Sequence, residues 1–196
     1  MGQYYNVVME ETKKDGKRIQ YINDYCGAKL MEHSYIGNDF TDFVCGKLMN
    51  NPMHVTWYGD YAEESSLPNK EAAKFYNENK EMENIWVNEE TLKKSKNIWV
   101  NKETLKNYGP IDISNKYLVN HTLKCYVNMK LYCFENDNFG WIINPIAILT
   151  AMSNGAGGGD YYGENKEKAG LWAWHIIELT DEPPKDYKQE TFTFAD

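Results

Sequence analysis

Apolar and polar positions alternate loosely over residues 3–10, which are rich in Tyr and Val, and the pattern returns over Arg18 to Ile22. Between them Lys14-Asp15-Gly16-Lys17 supplies turn chemistry, so the two runs predict a β-hairpin. From Gly27 to Met49 the rhythm changes. Leu30, Met31, Tyr35, Phe40, Phe43, Val44 and Leu48 fall near helical spacing, with Asn38 or Asp39 placed to cap the second half. His54 to Tyr58 reads as a strand ended by Gly59-Asp60. Asn69 to Glu83 reads as a polar helix, capped by Asn69 and carrying a thin apolar stripe of Ala72, Ala73, Phe75 and Tyr76.

Past Gly109-Pro110 the pieces Tyr117 to Val119, Lys124 to Met129, Leu131 to Phe134 and Trp141 to Ile143 are short, β-branched and aromatic, as in an antiparallel meander. Asn144-Pro145 opens a helix, polar cap before proline, whose buried face is Ile146, Leu149 and Met152. Leu171 to Leu179 predicts a last strand, and the segment from Asp181, with Pro183-Pro184, an extended and partly loose tail. Strands and helices mix without a βαβ rhythm. The expectation is an α+β fold: one domain over residues 1–180, with a mainly antiparallel sheet and a few packed helices, then a tail over 181–196.

One segment repeats. Asn84-Ile-Trp-Val-Asn-Glu-Glu-Thr-Leu-Lys93 recurs as Asn97-Ile-Trp-Val-Asn-Lys-Glu-Thr-Leu-Lys106, a period of thirteen residues. Two copies are too few and too short to stack into a core of their own. Residues 84–109 are therefore read as a peripheral insertion, with Asn88 and Asn101 each capping a short helix. The alternative is a pair of binding arms carrying Trp86 and Trp99.

Composition narrows the classes. The chain has 196 residues, 42% hydrophobic and 26% charged, enough for one sizeable core. A net charge of −8, with no basic face evident, disfavours duplex nucleic acid and anionic membranes as partners. No basic segment followed by an apolar run opens the chain, and Trp141 to Met152 is too short to span a bilayer, so a cytoplasmic location is expected. Cys26, Cys45, Cys125 and Cys133 lack zinc spacing and read as reduced, mostly buried thiols.

The most improbable stretch is Ser153 to Gly163, with five glycines in eleven positions. It lacks the Gly-Lys-Ser/Thr of a Walker loop, and its predicted order, helix before and strand after, reverses the dinucleotide fingerprint. What remains is a nest of main-chain N–H groups at Gly157, Gly158 and Gly159 able to hold an anion. Against it, Asn154-Gly155 can simply end the preceding helix. Two histidines lie among polar neighbours at element edges, His33 and His121, and two carboxylates share a Gly-aromatic setting, Asp60 and Asp160. These four are the candidate acid–base residues, the aspartates orienting an imidazole. His54 and His175 read as structural. Without His-x-x-x-His, His-x-Asp or paired-Cys spacing, neither metal nor cofactor is expected. Aromatic residues make 14% of the chain, several in predicted loops. Tyr4, Tyr5, Tyr61 and Tyr161 are candidates to stack on or bond a ligand, with Asn120 beside His121.

Through Gly2 to Tyr5, Lys29 to Ser34, Trp57 to Ala62, Tyr117 to Thr122, and Asn144-Pro145 onward to Gly157–Tyr161 and Trp172-Ala173, the chain resembles a family of short bacterial and phage proteins that open Met-Gly-Gln-Tyr-Tyr. The resemblance spans most of the chain outside the repeat and favours His33, Asp60, Asn120, His121 and Asp160 as site residues. It carries no settled activity. The chain departs from it at Ala156, where a basic side chain is expected, and in the duplicated segment. Three functions stay open. One is capture of a nucleotide-like small molecule, as by a phage protein sequestering a host signalling nucleotide in an anti-defence role. The others are a nucleotide-directed hydrolase or lyase, and a protein-interaction module. Homo-oligomerisation also stays open.

Overall fold

The computed structural model describes residues 2–12, 14, 18–23, 28–79, 96–100, 105, 109–132, 143–192 and 194. Within them the chain is α+β, with a mixed, mostly antiparallel sheet. Strands β1 (Tyr5–Thr12), β2 (Arg18–Asn23), β3 (Met53–Gly59), β4 (Lys96–Val100), β5 (Tyr117–Asn120), β6 (Cys125–Asn128), β8 (Ile176–Thr180) and β9 (Lys188–Gln189) lie in the order β4-β2-β1-β3-β8-β5-β6-β9. A further two-residue strand, β7 (Ala151–Met152), runs parallel to β3 off this path. The predicted hairpin is the antiparallel pair β1–β2, in register from Val8↔Ile22 to Thr12↔Arg18; residues 15–17 of its turn lie outside the described set.

Strand alternation divides the interior into two cores. Tyr5, Val7 and Met9 of β1 and Val55 and Trp57 of β3 face one side. There they pack with helices α1 (Leu30–His33), α2 (Asp39–Leu48) and α4 (Pro145–Leu149). Val8 and Tyr58 face the other side with Trp174, Met152 and helix α3 (Lys70–Asn79), which contributes Ala72 and Phe75. Three helix starts follow the predicted chemistry. Asn38 Oδ1 accepts from the Phe40 N–H at 2.9 Å, Asn69 Oδ1 from Glu71 and Ala72 at 2.9 Å each, and Asn144 Oδ1 from Ile146 at 3.1 Å.

Four expectations change. The helix from Pro145 stops at Leu149, and Ala151–Met152 turns into β7, which pairs with Trp57 and Tyr58; Met152 thereby lies in the second core, not on the helix face with Ile146. The glycine run thus follows a strand, and Asn154-Gly155 caps no helix. Leu131 falls in a 3₁₀ turn (Met129–Tyr132), not a strand. The last long strand begins only at Ile176, because Trp174 adopts φ 59°, a left-handed conformation costly for a bulky residue. That conformation is held by the Trp174 N–H bond to the Val55 carbonyl (2.8 Å) and by ring contacts with Phe75 (4.0 Å) and His54 (5.2 Å). Finally, the segment after Asp181 is docked: Lys188–Gln189 pairs with β6, and Phe192 and Phe194 are buried against Trp172 and Tyr161.

The first repeat copy, with Trp86, lies outside the described residues. The second is not wholly peripheral, since Lys96–Val100 adds to the sheet as β4, parallel to β2, and Leu105 is buried in the larger core. The predicted helices after Asn88 and Asn101 lie outside the described set. No helix among the described residues is long and apolar enough to cross a membrane.

The docked C-terminal segment makes a direct prediction. Phe192→Ala or Phe194→Ala should each lower stability by about 3 kcal/mol, the scale of a large-to-small change in a packed core. Urea unfolding measures it, and a loss near zero for both would show that the segment is not part of the core.

Candidate functional site

The glycine loop is built around one carboxylate. Asp160 is 4% exposed. Its Oδ2 accepts from the N–H groups of Gly155 (2.8 Å) and Gly157 (2.9 Å), and its Oδ1 accepts from the Tyr5 hydroxyl (2.8 Å). The Gln3 amide, in the orientation that satisfies both of its neighbours, donates to Asp160 Oδ2 and to the Ser153 carbonyl, each at 3.1 Å, and accepts from the Ser153 hydroxyl. Asn154 closes the loop from outside: its amide donates to the Tyr161 carbonyl at 3.0 Å and its Oδ1 accepts from the Tyr161 N–H at 2.8 Å. Two amides of this loop therefore already serve an anion, and it is the loop's own aspartate.

The same loop fixes the N-terminal segment. Gly2 bridges Gly158 in parallel, the Gln3 N–H donates to the Gly158 carbonyl (3.1 Å), and the Met31 N–H donates to the Gly159 carbonyl (3.2 Å). Glycine is required at two of these positions. A Cβ on Gly157 would come within 2.6 Å of Gln3 Cβ and 2.8 Å of its backbone nitrogen. At Gly159, with φ 92°, it would meet the Lys29 methylenes at 2.4–2.6 Å.

Burial, then the Asp160 charge and hydrogen bond, hold the Tyr5 hydroxyl well above the ordinary phenol range; Tyr162 and Asp60 add to the effect. Tyr5 thus stays a neutral donor. Asp60 bonds the residue next to Tyr5: its Oδ1 accepts from the Tyr4 N–H (3.0 Å) and its N–H donates to the Tyr4 carbonyl (2.9 Å).

Around this base the side chains part company. Tyr5 and Tyr161 are fully buried, Tyr161 giving its hydroxyl to the Glu164 carbonyl at 2.5 Å, so both serve the interior. Tyr4 (48% exposed), Tyr61 (36%) and Tyr162 (58%) face solvent. Tyr162 is steadied by its hydroxyl bond to the Gly157 carbonyl (2.8 Å). Asp60 is also exposed, and Lys29 lies across Gly159.

His33 sits in the same layer but inside it. Trp57 Nε1–H donates to its Nδ1 at 2.9 Å, so the ring proton is on Nε2, which is buried and meets no partner among the described residues. Burial pushes its pKa down to about 4, and Phe40 packs on the ring at 4.8 Å.

His121 lies elsewhere. Its N–H bonds the Ile176 carbonyl at the start of β8, where Met53 of β3 pairs with Ile177; Asp60 follows the other end of β3, where Gly59 pairs with Tyr5. Six residues of strand separate those registers, about 20 Å. His33, Asp60 and Asp160 thus gather at one end of the sheet and His121 at the other. Asn120 is buried beside it, bonding His175 Nδ1 (3.0 Å) and the Leu123 N–H (2.9 Å). Burial chiefly brings His175 also to about 4.

Sequence reasoning passed over Gln3 and Ser153, which complete the Asp160 cage, and Glu178 and Tyr187, which flank His121. Gln3 stands inside the quoted Met-Gly-Gln-Tyr-Tyr motif and Ser153 opens the glycine run; Glu178 and Tyr187 carry no local signal. Among the described residues no group of three His, Cys, Asp or Glu side chains is disposed to hold a metal ion. No family model, curated protein or solved structure matches the chain.

Two predictions follow from this geometry. Asp160→Asn replaces an acceptor with a donor facing amide donors, and should destabilise the fold by about 2–3 kcal/mol, as for loss of buried bonds to a charged group; an unchanged denaturation midpoint would sink that role. The second concerns pH. His33 and His175 bind protons less readily folded than unfolded, so stability is intact above about pH 6.5 and falls toward pH 4, by up to about 1.4 kcal/mol per pH unit for each. Urea midpoints across that window should show a shallower slope in His33→Gln than in wild type; equal slopes would refute the assignment for His33.

Proposed function

We propose that the chain is a small ligand-binding protein that captures a nucleotide-like molecule on the surface bordered by Tyr4, Tyr61 and Tyr162. The observation that carries this reading is that three exposed tyrosines are tied to Asp60 and the glycine loop: the Tyr4 backbone bonds Asp60, Tyr61 follows Asp60, and the Tyr162 hydroxyl bonds the Gly157 carbonyl. Aromatic faces stack on bases, and an exposed carboxylate accepts from a base amine or a ribose hydroxyl. Because the Gly155 and Gly157 amides are committed to Asp160, phosphate contact in this reading falls to the Lys29 ammonium, not to a nest at Gly157 to Gly159. Asp160 and Tyr5 then act as scaffold, and preorganisation by that scaffold limits the entropy lost on binding.

The proposal extends to a cytoplasmic protein that sequesters a signalling nucleotide, a role suited to a phage protein countering host defence. The buried free thiol of Cys125 suits a reducing compartment. Turnover of such a ligand is the second reading. It draws on His121, whose partners form a proton-relay geometry away from the tyrosine surface.

A thermal-shift screen against nucleotides, cyclic dinucleotides and ADP-ribose derivatives tests both, with chromatography of the recovered ligand. Intact ligand marks capture and altered ligand marks catalysis. Tyr162→Ala and Asp60→Asn should each weaken binding about tenfold or more while leaving the ligand-free melting temperature within a degree or so, since stacking on one aromatic contributes roughly 1–3 kcal/mol. No shift with any compound removes the nucleotide reading.

A further inference from the structure

Both ring nitrogens of His121 are engaged. Nε2 lies 2.8 Å from Oε2 of Glu178 on β8, and Nδ1 lies 3.2 Å from the hydroxyl of Tyr187, just before β9. An ionised carboxylate only accepts, so the proton shared with Glu178 belongs to Nε2. The neutral ring then offers its lone pair at Nδ1, and the phenolic O–H is the donor that meets it. Hydroxyl, imidazole and carboxylate in this order make a nucleophile, a base and the group that fixes the base's tautomer.

Other hydrogen bonds already secure this corner without them. The His121 N–H donates to the Ile176 carbonyl (2.9 Å), the Ile176 N–H to the Thr122 hydroxyl (3.0 Å), and the Lys188 N–H to the Lys124 carbonyl (3.1 Å). A structural clasp across the same gap would add little. Exposure also grades outward: the Glu178 side chain is 15% exposed and that of His121 27%, with Tyr187 half-buried beyond them. Two lysines lie close by in the chain. Lys124, exposed and without an ion pair among the described residues, lies on the same turn as His121, and Lys188 follows Tyr187 and pairs with Glu190 at 2.8 Å.

We propose that Tyr187 is a nucleophile toward phosphate diesters, activated by His121 as base, with Glu178 as positioning residue. The Tyr187 oxygen forms a bond to phosphorus as the bond from phosphorus to one ester oxygen breaks. The phenolic proton passes to His121 Nδ1, Glu178 stabilises the resulting imidazolium through Nε2, and the proton is then given to the departing oxygen. The product is a phosphodiester on Tyr187 plus a free alcohol, with the single negative charge conserved. Lys124 and Lys188 attract the anionic diester. This site is separate from the tyrosine surface and stands whether or not that surface binds a nucleotide.

The test treats the full chain with bis(4-nitrophenyl) phosphate, following 4-nitrophenolate release and mapping the adduct by peptide mass spectrometry. The expected result is a 4-nitrophenylphosphoryl group on Tyr187 and no adduct in Tyr187→Phe, which keeps the ring and its packing. His121→Asn should slow labelling about a hundredfold, the usual scale for loss of a general base. Glu178→Gln should slow it too, with Glu178→Asp recovering part of the rate. Circular dichroism confirms that each variant is folded. An unlabelled Tyr187, release from Tyr187→Phe at the wild-type rate, or an adduct on Lys124 or Lys188 in its place would overturn the proposal.

Discussion

The structure turns on the burial of the Asp160 carboxylate. An ionised group withdrawn from water and left unpaired costs several kcal/mol, so its donors are fixed as strictly as the charge itself. Those donors come from three places: the backbone of its own loop at Gly155 and Gly157, the first strand through Tyr5, and the segment before it through Gln3. Satisfying one side chain therefore sets the shape of the glycine loop, the entry of β1 into the sheet, and the inward turn of Tyr5. Of the three amides expected to receive an anion from a ligand, Gly157 to Gly159, that of Gly157 bonds Asp160 instead. What faces outward is the rim this arrangement rigidifies.

β3 joins that rim to the rest of the molecule. One of its ends pairs with Tyr5 beside Asp60, and the other pairs with Ile177 beside the turn that bears His121. Its alternating side chains also divide the helices, with α1, α2 and α4 on the Trp57 side and α3 on the Tyr58 side. A single seven-residue strand thus separates two chemically different surfaces, one tyrosine-edged with an exposed carboxylate, the other a hydroxyl–imidazole–carboxylate series. Nothing in the geometry requires the two to act on the same molecule.

Local chemistry was legible and long-range chemistry was not. Asn38, Asn69 and Asn144 announce helix starts because a cap bonds residues two or three positions away, and the first hairpin shows in its own alternation. Met152 was assigned to a helix because its spacing from Ile146 and Leu149 is helical, yet pairing with β3 prevailed over periodicity. Trp174 gives no sequence sign of a left-handed backbone; its conformation is imposed by Val55, Phe75 and His54. The site was legible in its parts. Asp60 and Asp160 bond neighbouring residues, Tyr4 and Tyr5, but the meeting of His121 with Glu178 and Tyr187 depends on β8 and β9 arriving at the sheet, which no spacing within the chain encodes. Phe192 and Phe194 looked like part of a polar, proline-bearing tail for the same reason: the surface that covers them is Trp172 and Tyr161, some twenty to thirty positions earlier.

The cage around Asp160 also orders events in time. Tyr5 and Asp160 are 155 positions apart, and Gln3 and Ser153 are 150, so a ribosome makes Tyr5 and Gln3 long before it makes their partners. At roughly 5–20 residues per second that interval lasts on the order of ten seconds. Throughout it β1, which pairs with both β2 and β3, can form its hairpin while the polar side chains at its entry remain hydrated. The first core can close around Tyr5 only after the glycine loop has emerged, so Gln3 and Tyr5, made well before that loop, are locked in place late.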